Sequence, residues 1–164
     1  MNSLLSLKHR LDEHLEAATA SLGLLLLRLW LAQEFIQAGW IKLSGGLSAP
    51  DWFRDLSFPV PVRWLSADMN WVTAGILETG LGFLLVVGLC GRLASVGLMF
   101  VTWVAVYSVH FDLGWAGWNQ IETDAGQGYK VPLMIGLMLF ALMAKGMGAW
   151  SLDGWLQRRP VAKA

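Results

Sequence analysis

The chain has 164 residues, 55% of them hydrophobic and 15% charged, with a formal net charge of zero. A water-soluble domain carries about 25% charged residues, and with no basic excess and no nucleic-acid-binding motif the composition excludes a nucleic-acid partner. The single cysteine, Cys90, forbids an intrachain disulfide and leaves too few ligands for an iron–sulfur cluster or a structural zinc site, so no metal site is expected.

Residues 1–20 read as an amphipathic helix lying at the membrane interface. Leu4, Leu7 or Lys8, Leu11 and Leu15 follow helical spacing, while Arg10, Asp12, Glu13 and Glu16 fill the other face. A cleaved leader is disfavoured, because the apolar run begins late, is long and follows three acidic residues.

Four apolar segments come next, at about 22–41, 71–89, 93–111 and 131–150. Each is close to the ~20 residues that span a bilayer core. The expected fold is all-α: an integral membrane four-helix bundle over residues 21–157, preceded by the interfacial helix and followed by a short basic tail at 158–164. The link Cys90-Gly91-Arg92 makes the second and third segments an antiparallel hairpin. Seven Lys/Arg (Lys8, Arg10, Arg92, Lys145, Arg158, Arg159, Lys163) fall on the side of the termini, against four (Lys42, Arg54, Arg63, Lys130) on the other. The positive-inside rule then places both termini in the cytoplasm and turns the two long connections outward.

Those connections are rich in tryptophan and proline. "APDWFRDLSFPVPVRWL" and "FDLGWAGWNQIETDAGQGYK" are either an aromatic belt on the membrane surface or loops over a binding site.

Polar residues inside the spans carry the functional question, since an ionisable group near the bilayer centre costs at least ~2.5 kcal/mol and faces a cavity or a partner. In the first span Gln33, Glu34 and Gln37 share one arc. They either hydrogen-bond to a neighbouring helix or line a cavity. Arg28 points away from that arc; it snorkels toward headgroups or meets an anionic group such as Glu78. In the second span Glu78 is flanked by Ala74, Gly75 and Gly82, small residues that admit a neighbouring helix, so it points into the bundle. Its depth matches that of Glu34, and a shared polar cavity is expected. In the third span Met99, Trp103, Tyr107 and His110 form one stripe, read as core and belt or as the wall of an outward pocket, with His110 titrating near neutral pH. Met134 with Met138, and Met143 with Met147, read as apolar filler rather than copper ligands.

"LRLWLAQEFIQAGWIKL" resembles the first helix of DoxX-family membrane proteins, through Arg28, Leu29, Phe35, Ala38, Gly39 and Lys42. "LETGLGFLLVVGLCGRLASVGL" is similar to the family's second helix and turn, through Glu78, Gly82, Gly88 and Arg92. "GAWSLDGWL" looks like its closing element, through Gly148, Ser151, Leu152 and Asp153. The resemblance implies a four-helix inner-membrane protein. Relatives include membrane subunits of thiosulfate:quinone oxidoreductases, proteins linked to redox or thiol stress, and proteins that accompany copper-binding modified peptides, whose first loop the "FPVP" segment resembles. Two functions follow as expectations. One is the membrane subunit or accessory of a quinone-linked or thiol/sulfur redox enzyme, with a quinone as possible cofactor. The other is a non-enzymatic scaffold, or a small-molecule or metal-handling protein. The partners expected are the lipid bilayer, a neighbouring redox subunit, or further copies of the chain.

Overall fold

The computed structural model describes residues 2–158. Its regular secondary structure is helical apart from one short hairpin with two residues in each strand. Helix α1 runs over Asn2–Ser44, α2 over Asp51–Arg54, α3 over Ala67–Val87, α4 over Gly91–Val109, α5 over Lys130–Lys145 and α6 over Leu152–Gln157. Strands β1 (Glu122–Thr123) and β2 (Gly126–Gln127) pair antiparallel in the connection before α5.

Among the described residues three helical stretches are long and apolar enough to cross a membrane: Ala18–Ser44, Ala67–Val87 and Gly91–Val109. The expected fourth, at about 131–150, is shorter. α5 ends at Lys145, where Gly146 (φ 82°) and Gly148 (φ 77°) turn the chain toward α6. Its 16 residues reach roughly 24 Å at 1.5 Å per residue, less than the ~30 Å of a bilayer core. The segment expected as a separate surface helix continues into the first span without a break. The side chains of Leu4, Leu7 and Leu11 lie outside the described residues, as does the expected basic tail beyond Arg158.

α1 packs on α3, α3 on α4, α4 on α5, and α5 returns to α1. The core between them holds Leu31, Ala32, Phe35, Leu85, Ala94, Leu98, Leu139, Leu142 and Met147. The α1–α3 contact is close because Gly39 lies against Gly75 and Thr79, where any Cβ would collide with the Gly75 carbonyl and the Thr79 side chain.

Local sequence sets the helix ends. Ser66 caps α3 by accepting a hydrogen bond from the Met69 N–H at 3.2 Å. Gly88, left-handed at φ 69°, ends it, with the N–H groups of Gly88 and Leu89 both donating to the Leu84 carbonyl. The next helix begins three residues later, at Gly91. Its first amides are capped from a distance: the Asp153 carboxylate accepts from the N–H of Cys90 and of Gly91, each at 2.9 Å. The Asp153 N–H donates in turn to the Gly88 carbonyl at 2.9 Å. Ser151, the N-cap of α6, accepts from the Gly154 N–H and holds this element in shape.

Candidate functional site

At the end of the molecule that carries the two long connections, α1, α3 and α4 diverge around a cavity of about 440 Å³. Its walls are mostly apolar: Ala38 and Ile41 from α1, Ala74 and Leu77 from α3, and Phe100, Val101, Val104 and Ala105 from α4. Six polar side chains interrupt them, Lys42, Asn70, Thr73, Glu78, Ser108 and His110.

The segment after α1 folds back over this cavity. Pro50, extended at φ −66°, leads into the short α2, and the Asp68 carboxylate ties the segment to the start of α3. That carboxylate accepts from the Ala49 N–H at 2.7 Å and from Arg54 Nη2 at 3.1 Å. Arg54 Nη2 also donates to Ser48 Oγ at 2.6 Å, and Asn70 Nδ2 donates to the Val62 carbonyl at 3.0 Å. These bonds hold Trp52, Phe53 and Phe58 against Trp71. Ring centroids lie 4.9 Å apart for Phe53–Trp71, 5.1 Å for Phe53–Phe58 and 5.9 Å for Trp52–Trp71. Ala49, Phe53 and Trp71 form a second small core of their own. Trp52, Phe53 and Phe58 of this loop line the cavity, while Trp64 of the same loop and Trp115 of the second connection remain 75% and 81% exposed, as belt residues do.

Charge enters the cavity wall as one ion pair. Lys42 Nζ lies 2.7 Å from Glu78 Oε2, with side chains 19% and 9% exposed. Lys42 is held by three further contacts. Its ammonium approaches the Ala38 carbonyl at 3.4 Å and sits 5.6 Å from the Trp71 ring centroid. Its carbonyl accepts from Trp71 Nε1 at 2.9 Å. On the α4 side, Ser108 Oγ and His110 Nδ1 are buried and have no hydrogen-bond partner among the described residues. Burial lowers the His110 pKa below its ordinary value of 6.5, against opposing contributions from Gln127 and Asp112. The cavity therefore offers a mostly apolar wall, one ammonium–carboxylate pair, and two buried polar atoms, Ser108 Oγ and His110 Nδ1, without a partner among the described residues.

The expected shared chamber is only partly met. Glu78 and His110 line the cavity; Gln33, Glu34 and Gln37 do not. Gln33 and Gln37 are exposed on the outer side of α1 and bond to each other, Gln33 Nε2 to Gln37 Oε1 at 3.1 Å, and Glu34 is half-buried beside them. The helical register explains the difference: the face of α1 that meets α3 is taken by Ala32, Ile36 and Gly39, which leaves the amides turned away. Trp103 and Tyr107, 47% and 52% exposed, lie on the outside of α4 and do not line the cavity, whose wall on that helix is Phe100, Val101, Val104 and Ala105. Arg28 neither snorkels nor meets Glu78. It is buried at the opposite end, where Nη1 donates to the Met147 carbonyl and Nη2 to the Trp150 carbonyl, each at 3.0 Å.

Lys42 and Ser108 are site residues that sequence reasoning misses. The charge pattern groups Lys42 with the loop, although it lies one helical turn past Ala38-Gly39, the close-approach point that brings α1 onto the α3 face bearing Glu78. Nothing in the sequence distinguishes Ser108 from a packing serine.

The DoxX family model matches residues 23–111, the stretch that includes Arg28, Gly39, Lys42, Glu78 and Gly88. An uncharacterized protein of Haemophilus influenzae is 33% identical over 149 residues, 90% of this chain and 91% of that protein. No solved structure matches the chain. With its apolar spans, its close α1–α3 contact and a family match over more than half its length, the chain belongs to the DoxX family of membrane proteins.

Proposed function

We propose that this DoxX protein is a binding subunit that holds the ring of a membrane quinone, or a similar flat amphipathic carbonyl compound, in the cavity between α1, α3 and α4, and serves a neighbouring redox enzyme. In this reading α5 completes a four-helix bundle as a short fourth span, both termini are cytoplasmic, and the cavity faces the outer side.

One observation carries the reading: buried polar groups without partners on the wall of an otherwise apolar slot. A volume near 440 Å³ lies within the ~300–1,000 Å³ of small-molecule sites, which are typically apolar with a few placed polar groups. Ser108 Oγ and His110 Nδ1 are such groups; a buried hydroxyl left unpaired costs roughly 1–3 kcal/mol, which a ligand carbonyl or hydroxyl would recover. The Lys42 ammonium supplies a charge-assisted donor to a carbonyl, and aromatic faces at Phe53, Phe58 and Trp71 supply stacking partners. Electrons come from a partner or a substrate, and this chain contributes binding, orientation and shielding from water.

The test is tryptophan fluorescence of detergent-purified protein titrated with a short-chain quinone, corrected for inner-filter loss. Trp52 and Trp71 adjoin the cavity and Trp103 does not, so saturable quenching should survive Trp103→Phe and weaken by roughly fivefold or more in Lys42→Met and Ser108→Val. Quenching that rises linearly and equally in all variants means partitioning into detergent. The scaffold reading would then replace this one.

A further inference from the structure

The polar arc of α1 has a different use. Leu26, Trp30, Gln33, Gln37, Trp40 and Ser44 are all exposed. They recur at alternating spacings of four and three residues, the heptad seam of a left-handed helix pair. The two glutamines lie well inside the Ala18–Ser44 span, about 10–16 Å from its Ser44 end at 1.5 Å per residue. Beyond the bond between them they have no partner among the described residues. That bond leaves donors on Gln37 Nε2 and an acceptor on Gln33 Oε1 unused. In hydrocarbon such groups have no water to turn to, so a protein surface covers them.

We infer that the surface is the same face of a second copy, and that the chain forms a parallel dimer about α1 with Gln33 and Gln37 at its centre. Three features favour a copy over another protein. An amide is donor and acceptor at once, so a glutamine pairs with its own symmetry mate. Both copies insert with the same orientation, and a two-fold axis along the membrane normal sets each residue of the seam opposite its counterpart at equal depth. A central amide within an otherwise apolar or aromatic seam fixes register and copy number in helix pairs of this kind. The face is separate from the cavity, so the inference does not depend on what the cavity binds.

Disulfide trapping in native membranes tests it, in a Cys90→Ser background that removes the natural thiol. Gln33→Cys and Gln37→Cys should each cross-link to a dimer on mild oxidation, while Trp103→Cys on the outside of α4 should not. Native mass spectrometry of the unmodified protein released from nanodiscs should show a dimer, and Gln33→Leu/Gln37→Leu should weaken association by roughly tenfold. Those leucines sit on an exposed face, and their quinone titration should match the parent's. The inference is overturned by a monomer in the spectrum, by equal cross-linking from Trp103→Cys, by capture of a different polypeptide through Gln37→Cys, or by a dimer that the double leucine variant leaves as tight as before.

Discussion

Removing one member of the Lys42–Glu78 pair should cost far more than removing both. The charged atoms are 2.7 Å apart. At an effective dielectric constant of about 20, unit charges at such a distance attract by roughly 6 kcal/mol. Withdrawing each ion from water costs several kcal/mol, so the pair as a whole is close to neutral. Glu78→Leu leaves an ammonium with only the Ala38 carbonyl and the Trp71 ring for company, and should destabilise by about 3 kcal/mol. Lys42→Met leaves the buried carboxylate without its counter-ion and should destabilise by about 2 kcal/mol. The double variant, apolar on both sides, should fall within about 1 kcal/mol of the parent, giving a coupling of roughly 4 kcal/mol. Reversible unfolding in mixed micelles, followed by helical circular dichroism, measures all four proteins. Additive losses, with the double variant about 5 kcal/mol down, would refute the account of a buried pair that balances itself.

Three further outcomes are expected. Arg28→Leu strips the Met147 and Trp150 carbonyls of their donor and should lower stability by about 2–4 kcal/mol, with Arg28→Lys in between because one ammonium serves two carbonyls poorly; micelle unfolding reads both. Asp153→Ala should cost about 1–2 kcal/mol by uncapping α4, and hydrogen exchange should localise the loss to the Cys90 and Gly91 amides, with α3 unaffected. His110 favours its neutral form in the folded chain. Its contribution to stability is therefore complete above its ordinary pKa of 6.5 and declines as pH falls below that value, where the unfolded chain takes up the proton more readily. A pH series of melting temperatures should show this slope in the parent and a flatter one in His110→Gln.

The hairpin of α3 and α4 is legible in the sequence because only a short link, Cys90-Gly91-Arg92, separates two apolar runs of spanning length, although the turn itself falls slightly earlier, at the left-handed Gly88 and Cys90. The inward direction of Glu78 is legible too: small residues on its face let α1 approach. The placement of Gln33, Glu34 and Gln37 is not. A polar arc says that protein or water covers it, and periodicity alone does not say which protein. The end of α5 escapes a hydropathy reading because the apolar run continues past Lys145, whereas two left-handed glycines turn the backbone there. The roof of the cavity is half legible. Prolines show that the loop breaks, but the return of Phe53 onto Trp71 depends on Asp68 and Arg54, and no local pattern announces those contacts.

The position of the Arg28 acceptors also bears on the order in which the protein is made. They lie 119 and 122 residues downstream, so a ribosome adding ~5–20 residues per second reaches them roughly 6–24 s after the arginine. Through that interval the first helix carries a charge without its final partners. The contact of α1 with α3 can form before then, but the hydrogen bonds of the arginine itself wait for the closing segment. A nascent chain stopped before Met147 has neither of the two carbonyls that hold Arg28 in the finished molecule.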